Sequence, residues 1–286
     1  MSVAVPDDQA TDLSKQYDTP LGLAHSTMQV LKDRIKLHYD LASDYYLSLC
    51  TVLDVGCGIG GTSRYLASKH GCSVTGITIS SRQVEIANRL TKTAVEDQAS
   101  SKPTSDQGAT RLGEGRVKFL ELDAEKMGDF FNDQQGSFDA VWISEALSHF
   151  PNKALFFENV MKVLKPGGKL VLADWFKAED LDDTTFTNDI KPIEDGMLLP
   201  PLCTQKGYLE LAKKAGLAVF SEPKDISKEV RKTWDITWSL VQNPSLWAFA
   251  LSQGRDGIAF LQSFRAMRRG YANGSFRYAV MAFKKE

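Results

Sequence analysis

Residues 51–70 read TVLDVGCGIGGTSRYLASKH, and this stretch decides the fold. Thr51–Val55 is a short apolar run that ends in Gly56-Cys57-Gly58-Ile59-Gly60-Gly61, and a helical pattern follows from Thr62 to about His70. Strand, glycine turn and helix in that order open a doubly wound α/β unit. The glycines serve a backbone that turns sharply and must approach a ligand with no side chain in the way. Gly-x-Gly-x-x-Gly alone does not name the ligand, because nucleotide enzymes of several kinds carry it.

Outward from this stretch the pattern repeats. Cys72–Ile77 is a second buried strand, and Ser81 to about Val95 is helical. Val117–Glu121 and Phe138–Ile143 are further strands, and Asn152–Leu164 is a helix that Lys165-Pro166-Gly167-Gly168 ends. Lys169–Ala173 is a fifth strand. The central strands are continuous apolar runs rather than alternating ones, as expected of parallel strands covered on both faces. Residues 97–115, DQASSKPTSDQGATRLGEG, lack periodicity and read as an exposed loop. Residues 177–203 read as an irregular helical insertion, Thr204–Ala215 as a helix, Ala218–Phe220 as a strand, 227–269 as mostly helical and Phe276–Phe283 as a final strand.

Composition limits the function. The chain has 286 residues, 43% hydrophobic and 24% charged, with a formal net charge of -2. A charge so near balance gives no field to hold a polyanion, which argues against a nucleic-acid partner. No run approaches the roughly 20 apolar residues of a bilayer span, and the N-terminus has no basic start and apolar run to serve as a secretory signal. Cys50, Cys57, Cys72 and Cys203 show no Cys-x-x-Cys spacing and no flanking His pair. Neither a metal site nor a disulfide framework is expected, and reduced thiols in a cytoplasmic protein are.

Two features point to the ligand. Asp54 sits two positions before the first glycine. A pyrophosphate would be repelled there, whereas the ammonium and sulfonium of S-adenosylmethionine would welcome a carboxylate. A dinucleotide enzyme also wants an acid about 20 residues on, at the end of the second strand; the sequence there is Gly76-Ile77-Thr78-Ile79-Ser80. A nicotinamide-dependent oxidoreductase is thereby disfavoured.

Residues 52–67, VLDVGCGIGGTSRYLA, resemble the first motif of class I methyltransferases. The likeness is nearest to the branch containing gamma-tocopherol and sterol C-methyltransferases, with DRIKLHYDLASDYYLSL at 33–49, GITISSRQ at 76–83 and VLKPGGKLVLADW at 163–175 in support. It implies a Rossmann-like methyltransferase fold: a doubly wound, mostly parallel seven-stranded sheet with an antiparallel last strand and helical additions. The polar start of the chain, interrupted by Pro6 and Pro20, reads as part of a flexible arm over 1–26, and the remainder, 27–286, as a single domain. That domain comprises a helical lead-in (27–50), a cofactor-binding core (51–175) and an acceptor-binding and lid part (176–286).

Carried over by position, Asp54, Gly56, Gly58 and Gly60 would line the methionine part of the cofactor. Thr78 and Gln83 would stand near its ribose, Asp123 and Ala124 would meet its adenine, and Ser144 and Glu145 would face the reacting centre. Asp123 could equally cap the turn that follows it, and Thr78 and Ser80 could be turn residues. Glu145 and His149 are the candidate catalytic groups; His149 reads equally as a general base or as a cap on the next helix. The aromatics Trp234, Trp238, Trp247, Phe249, Phe260 and Phe264 fall at helical spacings, as core or as a lid over an apolar acceptor.

The expected activity is methylation of a small, rather apolar molecule, as in tailoring of a terpenoid, polyketide or alkaloid. A His-Gly-Tyr-Trp-like segment and a helix found in the resembled branch are absent between Cys50 and Thr51. That leaves a shortened variant with a more open site, an altered message, or a silent homologue that serves as a binding partner.

Overall fold

The computed structural model describes residues 50–97, 105–106, 108–231, 233, 244–252 and 254–286. The arm, the lead-in up to residue 49, Trp234 and Trp238 lie outside the described residues. The described residues fall into two compact units. One comprises Asp180–Leu199 and Ser227–Phe276, the other runs from Cys50 to Glu179 and adds Pro200–Ile226 and Arg277–Glu286.

The larger unit is built on one sheet. Its strands are β1 (Thr51–Val55), β2 (Ser73–Thr78), β3 (Ser105–Asp106), β4 (Ala109–Leu112), β5 (Gly115–Glu121), β6 (Phe138–Ser144), β7 (Leu164–Lys177), β8 (Leu217–Asp225) and β9 (Phe276–Lys285). They lie in the order β3-β4-β5-β2-β1-β6-β7-β9-β8. β1 runs parallel to β2 and β6, β2 to β5, and β6 to β7. β9 runs antiparallel to β8. The expected doubly wound α/β sheet is therefore present, and two strands are added to it.

The added strands correct the loop expected at 97–115. Helix α2 (Ser81–Asp97) extends into that stretch, and β4 folds back antiparallel on β5, pairing Thr110 with Val117 and Leu112 with Gly115. Gly113, at φ 62°, makes the tight turn between them. Leu112 is buried, so one apolar residue anchors an otherwise polar edge.

Alternation fails in β1 because both faces are covered: Val52 and Leu53 are both fully buried. Helix α1 (Gly61–His70) follows β1 directly, and α3 (Lys153–Val163) packs Phe156, Phe157, Val160 and Val163 into the core. Phe157 meets Tyr208 and Phe283 edge-on, with ring centroids 6.0 and 6.1 Å apart. The Cys50 and Cys72 thiols lie side by side at the starts of β1 and β2, sulfurs 2.8 Å apart, and both are free cysteines.

The smaller unit is helical: α4 (Lys191–Gly196), α6 (Pro244–Ser252) and α7 (Arg255–Asn273), with α5 (Gln205–Lys214) belonging to the larger unit. The π-turn Phe186–Ile190 precedes α4, matching the irregular helical stretch expected at 177–203. Its Asp189 is buried and accepts from the Arg269 guanidinium, from Asn273 Nδ2 at 2.6 Å and from Ser275 Oγ at 2.8 Å. Within this unit Phe264 is buried against Phe260, centroids 4.7 Å apart, whereas Trp247 is 42% exposed. None of the helices among the described residues is long and apolar enough to cross a membrane.

Candidate functional site

The carboxyl ends of β1, β2, β5 and β6 surround a cavity of about 630 Å³ in the larger unit. This is where an open α/β sheet presents ligands. Each wall comes from a different strand end.

The first wall is the glycine loop. Cys57 N donates to Ile77 O, and Gly60 N to Cys57 O, both at 2.9 Å, which folds the loop over the end of β2. Arg64 braces it from α1, Nη1 donating to Ile59 O at 2.7 Å. Gly56 has φ 68°, and a β-carbon there would lie 2.4 Å from the Ala146 β-carbon. A β-carbon on Gly58 would meet nothing within 4 Å, because that residue borders the open cavity. Gly60 also has positive φ but is walled by Phe119, whose ring would lie 2.4 Å from a β-carbon.

The second wall is the end of β2 and the start of α2. Thr78 Oγ1 donates to Gln83 Oε1 at 2.6 Å, and Ser80 Oγ accepts from Gln83 N at 3.2 Å, capping α2. The pair is neutral where a dinucleotide enzyme would carry an acid. Ile79 beside it is 75% exposed. The third wall is Leu122, Asp123, Ala124 and Glu125 after β5. Asp123 both lines the cavity and caps the short turn, Oδ1 accepting from Glu125 N at 3.0 Å.

The fourth wall follows β6 and carries Glu145, Ala146, His149, Phe150 and Pro151. Glu145 sits at φ 53°, a left-handed conformation that costs a residue with a β-carbon about 1–2 kcal/mol. Its N–H donates to Ala173 O at 2.8 Å, and its Oε1 accepts from the Tyr278 hydroxyl at 3.0 Å. The turn Leu147–His149 is clamped on two sides. Ser148 N donates to the buried Asp174 at 2.8 Å, and Lys153 Nζ donates to Phe150 O at 3.0 Å. Burial, then the nearby Lys153 charge, hold the His149 pKa below its ordinary value. The cap position of α3 is filled by Asn152, whose side chain accepts from Leu155 N at 3.0 Å, and His149 faces the cavity instead.

Of the residues expected at the site, Gly56, Gly58, Thr78, Gln83, Asp123, Ala124, Glu145 and His149 share this one cavity. Asp54, Gly60 and Ser144 do not line it. Asp54 is 2% exposed and lies behind the loop, Oδ2 accepting from Ser63 Oγ of α1 at 2.6 Å. Burial pushes its carboxyl up to about 7. Gly60 is glycine to clear Phe119, and Ser144 closes β6 opposite Ala173. The sequence reading missed the apolar lining, Ile77, Ile79, Leu122 and Phe150. Their common signal is position, each standing at or just past a strand's carboxyl end or in the following turn.

The residues present suit S-adenosylmethionine. Bare backbone at Gly56 and Gly58 leaves room for the methionine part, the Thr78–Gln83 pair offers neutral polar groups to a ribose, and Leu122 with Asp123 offers an apolar and a polar contact to a base.

A family model described as a methyltransferase domain matches residues 53–172. The chain is 45% identical over 241 residues to the 2-methyl-6-phytyl-1,4-hydroquinone methyltransferase of Synechocystis sp., covering 80% of this chain and 67% of that protein. It is 28% identical over 242 residues to the chloroplastic tocopherol O-methyltransferase of Arabidopsis thaliana, covering 82% of this chain and 62% of that protein, so it is shorter than these relatives. A solved geranyl diphosphate C-methyltransferase from Streptomyces coelicolor, in complex with Mg2+, geranyl diphosphate and S-adenosylhomocysteine, shares the fold. Its TM-score is 0.64 at 16% identity, over 88% of this chain and 80% of that one. With the strand order, the glycine loop and these likenesses together, the chain belongs to the class I S-adenosylmethionine-dependent methyltransferases, in the branch of the tocopherol and sterol enzymes.

Proposed function

We propose that the protein methylates a prenyl-bearing aromatic hydroxyl compound of the hydroquinone class, as a tailoring step on a small natural product. One observation carries this reading: Glu145 and His149, the groups that can meet a hydroxyl, share their wall of the cavity with the apolar Ala146, Phe150 and Pro151. A greasy ring with one or two hydroxyls fits such a mixture, and a charged acceptor does not. The substrate named for the Synechocystis relative, a phytylated hydroquinone, is of this class.

When bound, S-adenosylmethionine supplies a methyl group already activated by its sulfonium, so the protein's own work is alignment, exclusion of water and removal of one proton. His149 suits the last task. A lowered pKa keeps the imidazole neutral near pH 7, ready to take a proton from a ring hydroxyl or from the ring carbon that has been methylated. Glu145 accepts hydrogen bonds and orients the hydroxyl. Asp54, set behind the loop, contributes negative charge toward the cofactor's ammonium rather than a direct wall of the cavity.

The test is turnover. Purified protein is incubated with S-adenosylmethionine and 2-methyl-6-phytyl-1,4-hydroquinone, beside the same ring without its prenyl chain, and products are weighed by mass spectrometry. Methylation of the prenylated ring at a rate at least about tenfold above the bare ring is expected, as apolar contact with the chain predicts. Binding of S-adenosylhomocysteine without methylation of either ring would overturn the acceptor class. A His149→Ala protein with undiminished turnover would remove the base assigned to His149.

A further inference from the structure

Strand β9 contains a buried run, Tyr278-Ala279-Val280-Met281-Ala282-Phe283, in which Tyr278 is the one polar side chain. Tyr278 is 1% exposed. Phenylalanine would fill almost the same space, so packing alone does not account for the hydroxyl. Its partner does. The hydroxyl donates to Glu145 Oε1 at 3.0 Å, although the two residues are 133 positions apart. In the sheet order β7 lies between β6 and β9, so this hydrogen bond links the residue just past β6 to a strand that is not its neighbour.

Both ends of Glu145 are therefore held. Its backbone is fixed in the left-handed region by the N–H donated to Ala173 O at 2.8 Å, and its carboxylate by Tyr278. A carboxylate on a flexible stem that must meet an acceptor in one orientation gains from such support, because freezing its torsions during reaction would raise the barrier. Glu145 lines the cavity.

We propose that Tyr278 is a positioning residue for the reaction: it holds the Glu145 carboxylate in the orientation that receives the acceptor's hydroxyl. This rests on the reading of Glu145 as the acceptor-orienting group. It adds a residue from the far side of the sheet to the site, and none of the sequence patterns around the glycine loop reaches it.

Two measurements test it. The first is a double-mutant cycle with Tyr278→Phe and Glu145→Ala, assayed with 2-methyl-6-phytyl-1,4-hydroquinone. Tyr278→Phe should lower kcat/KM for the acceptor about tenfold, as loss of one hydrogen bond to a charged group predicts, and leave the KM for S-adenosylmethionine within about twofold. In the Glu145→Ala background the same change should alter turnover less than about twofold, since the group it acts through is gone. Equal losses in both backgrounds would show that Tyr278 acts structurally and would overturn the proposal.

The second measurement needs no acceptor. In protein labelled with 13C-glutamate and saturated with S-adenosylhomocysteine, the Glu145 carboxyl resonance, assigned by its loss in Glu145→Gln, should move on Tyr278→Phe. An unmoved resonance would also overturn the proposal. A wild-type protein that fails to methylate the hydroquinone removes the acceptor class alone, and the resonance then decides the role of Tyr278.

Discussion

At the scale of single residues, Asp54 carries the sharpest conflict between stability and binding. Burial raises its carboxyl pKa to about 7, well above that of an unfolded aspartate, and hydrogen bonding from Ser63 offsets this only in part. The folded protein therefore holds this proton more tightly than the unfolded chain. The associated stability is present at low pH and is lost as pH rises from about 4 toward 7. An ammonium brought near the loop favours the ionised form, so ligand binding should respond in the opposite sense. Asp54→Asn should gain melting temperature relative to wild type between pH 5 and pH 8. S-adenosylhomocysteine affinity, followed by calorimetry, should strengthen in wild type as pH rises through about 7 and stay flat in Asp54→Asn. A parallel pH response in the two proteins would contradict this account. Asp54 was legible because an acid before a glycine turn is a local pattern. Tyr278 was not, because its meaning lies in a partner 133 positions away.

At the scale of elements, the fourth wall depends on how α3 begins. Asn152 caps the helix with its side chain, while its own N–H donates to Glu125 Oε1 at 3.0 Å, tying the third wall to the fourth. Asn152→Ala should cost about 1 kcal/mol, the usual value of a lost N-cap, read as a lower denaturation midpoint. Because Asp174 of β7 holds the turn carrying His149 through Ser148 N, apart from α3, affinity for S-adenosylhomocysteine should fall by less than about twofold. Central strands β1, β2, β6 and β7 could be located from sequence because burial on both faces writes them as apolar runs. Of the edge strands, β3 and β4 could not, and the sequence marks β8 (Leu217–Asp225) only over Ala218–Phe220. β3 and β4 are short, and of the four residues of β4 Leu112 alone is buried. β8 is interrupted by register shifts between Val219 and Ser221 and between Ser221 and Lys224, and it contains Pro223, which an edge strand tolerates. Edge strands obey pairing more than periodicity, and pairing is not visible in a local window.

At the scale of the whole molecule, the two compact units are stabilised differently. The larger rests on one apolar core spread through its sheet and helices. The smaller depends on a polar junction, where buried Asp189 gathers Arg269, Asn273 and Ser275 at the end of α7. Asp189→Ala leaves those donors without their carboxylate and should cost about 3 kcal/mol. Limited trypsin digestion followed by mass spectrometry should then show the first cuts within Asp180–Leu199 or Ser227–Phe276, with Cys50–Glu179 cut later. First cuts within Cys50–Glu179 would mean that Asp189 does not govern this unit.

The place of β9 in the sheet also has a bearing on synthesis. β9 lies between β7 and β8, yet it is the last of the three to leave the ribosome. While residues beyond Asn273 are still being translated, β7 presents an open edge and β8 lacks its antiparallel neighbour. Both are exposed hazards for association between nascent chains. Lys285, which caps the end of α3 by donating to Met161 O and Leu164 O, also arrives only then. The methyltransferase core therefore closes after translation of its cofactor loop by more than two hundred codons. During that interval, cover over the β7 edge by a chaperone would limit such association.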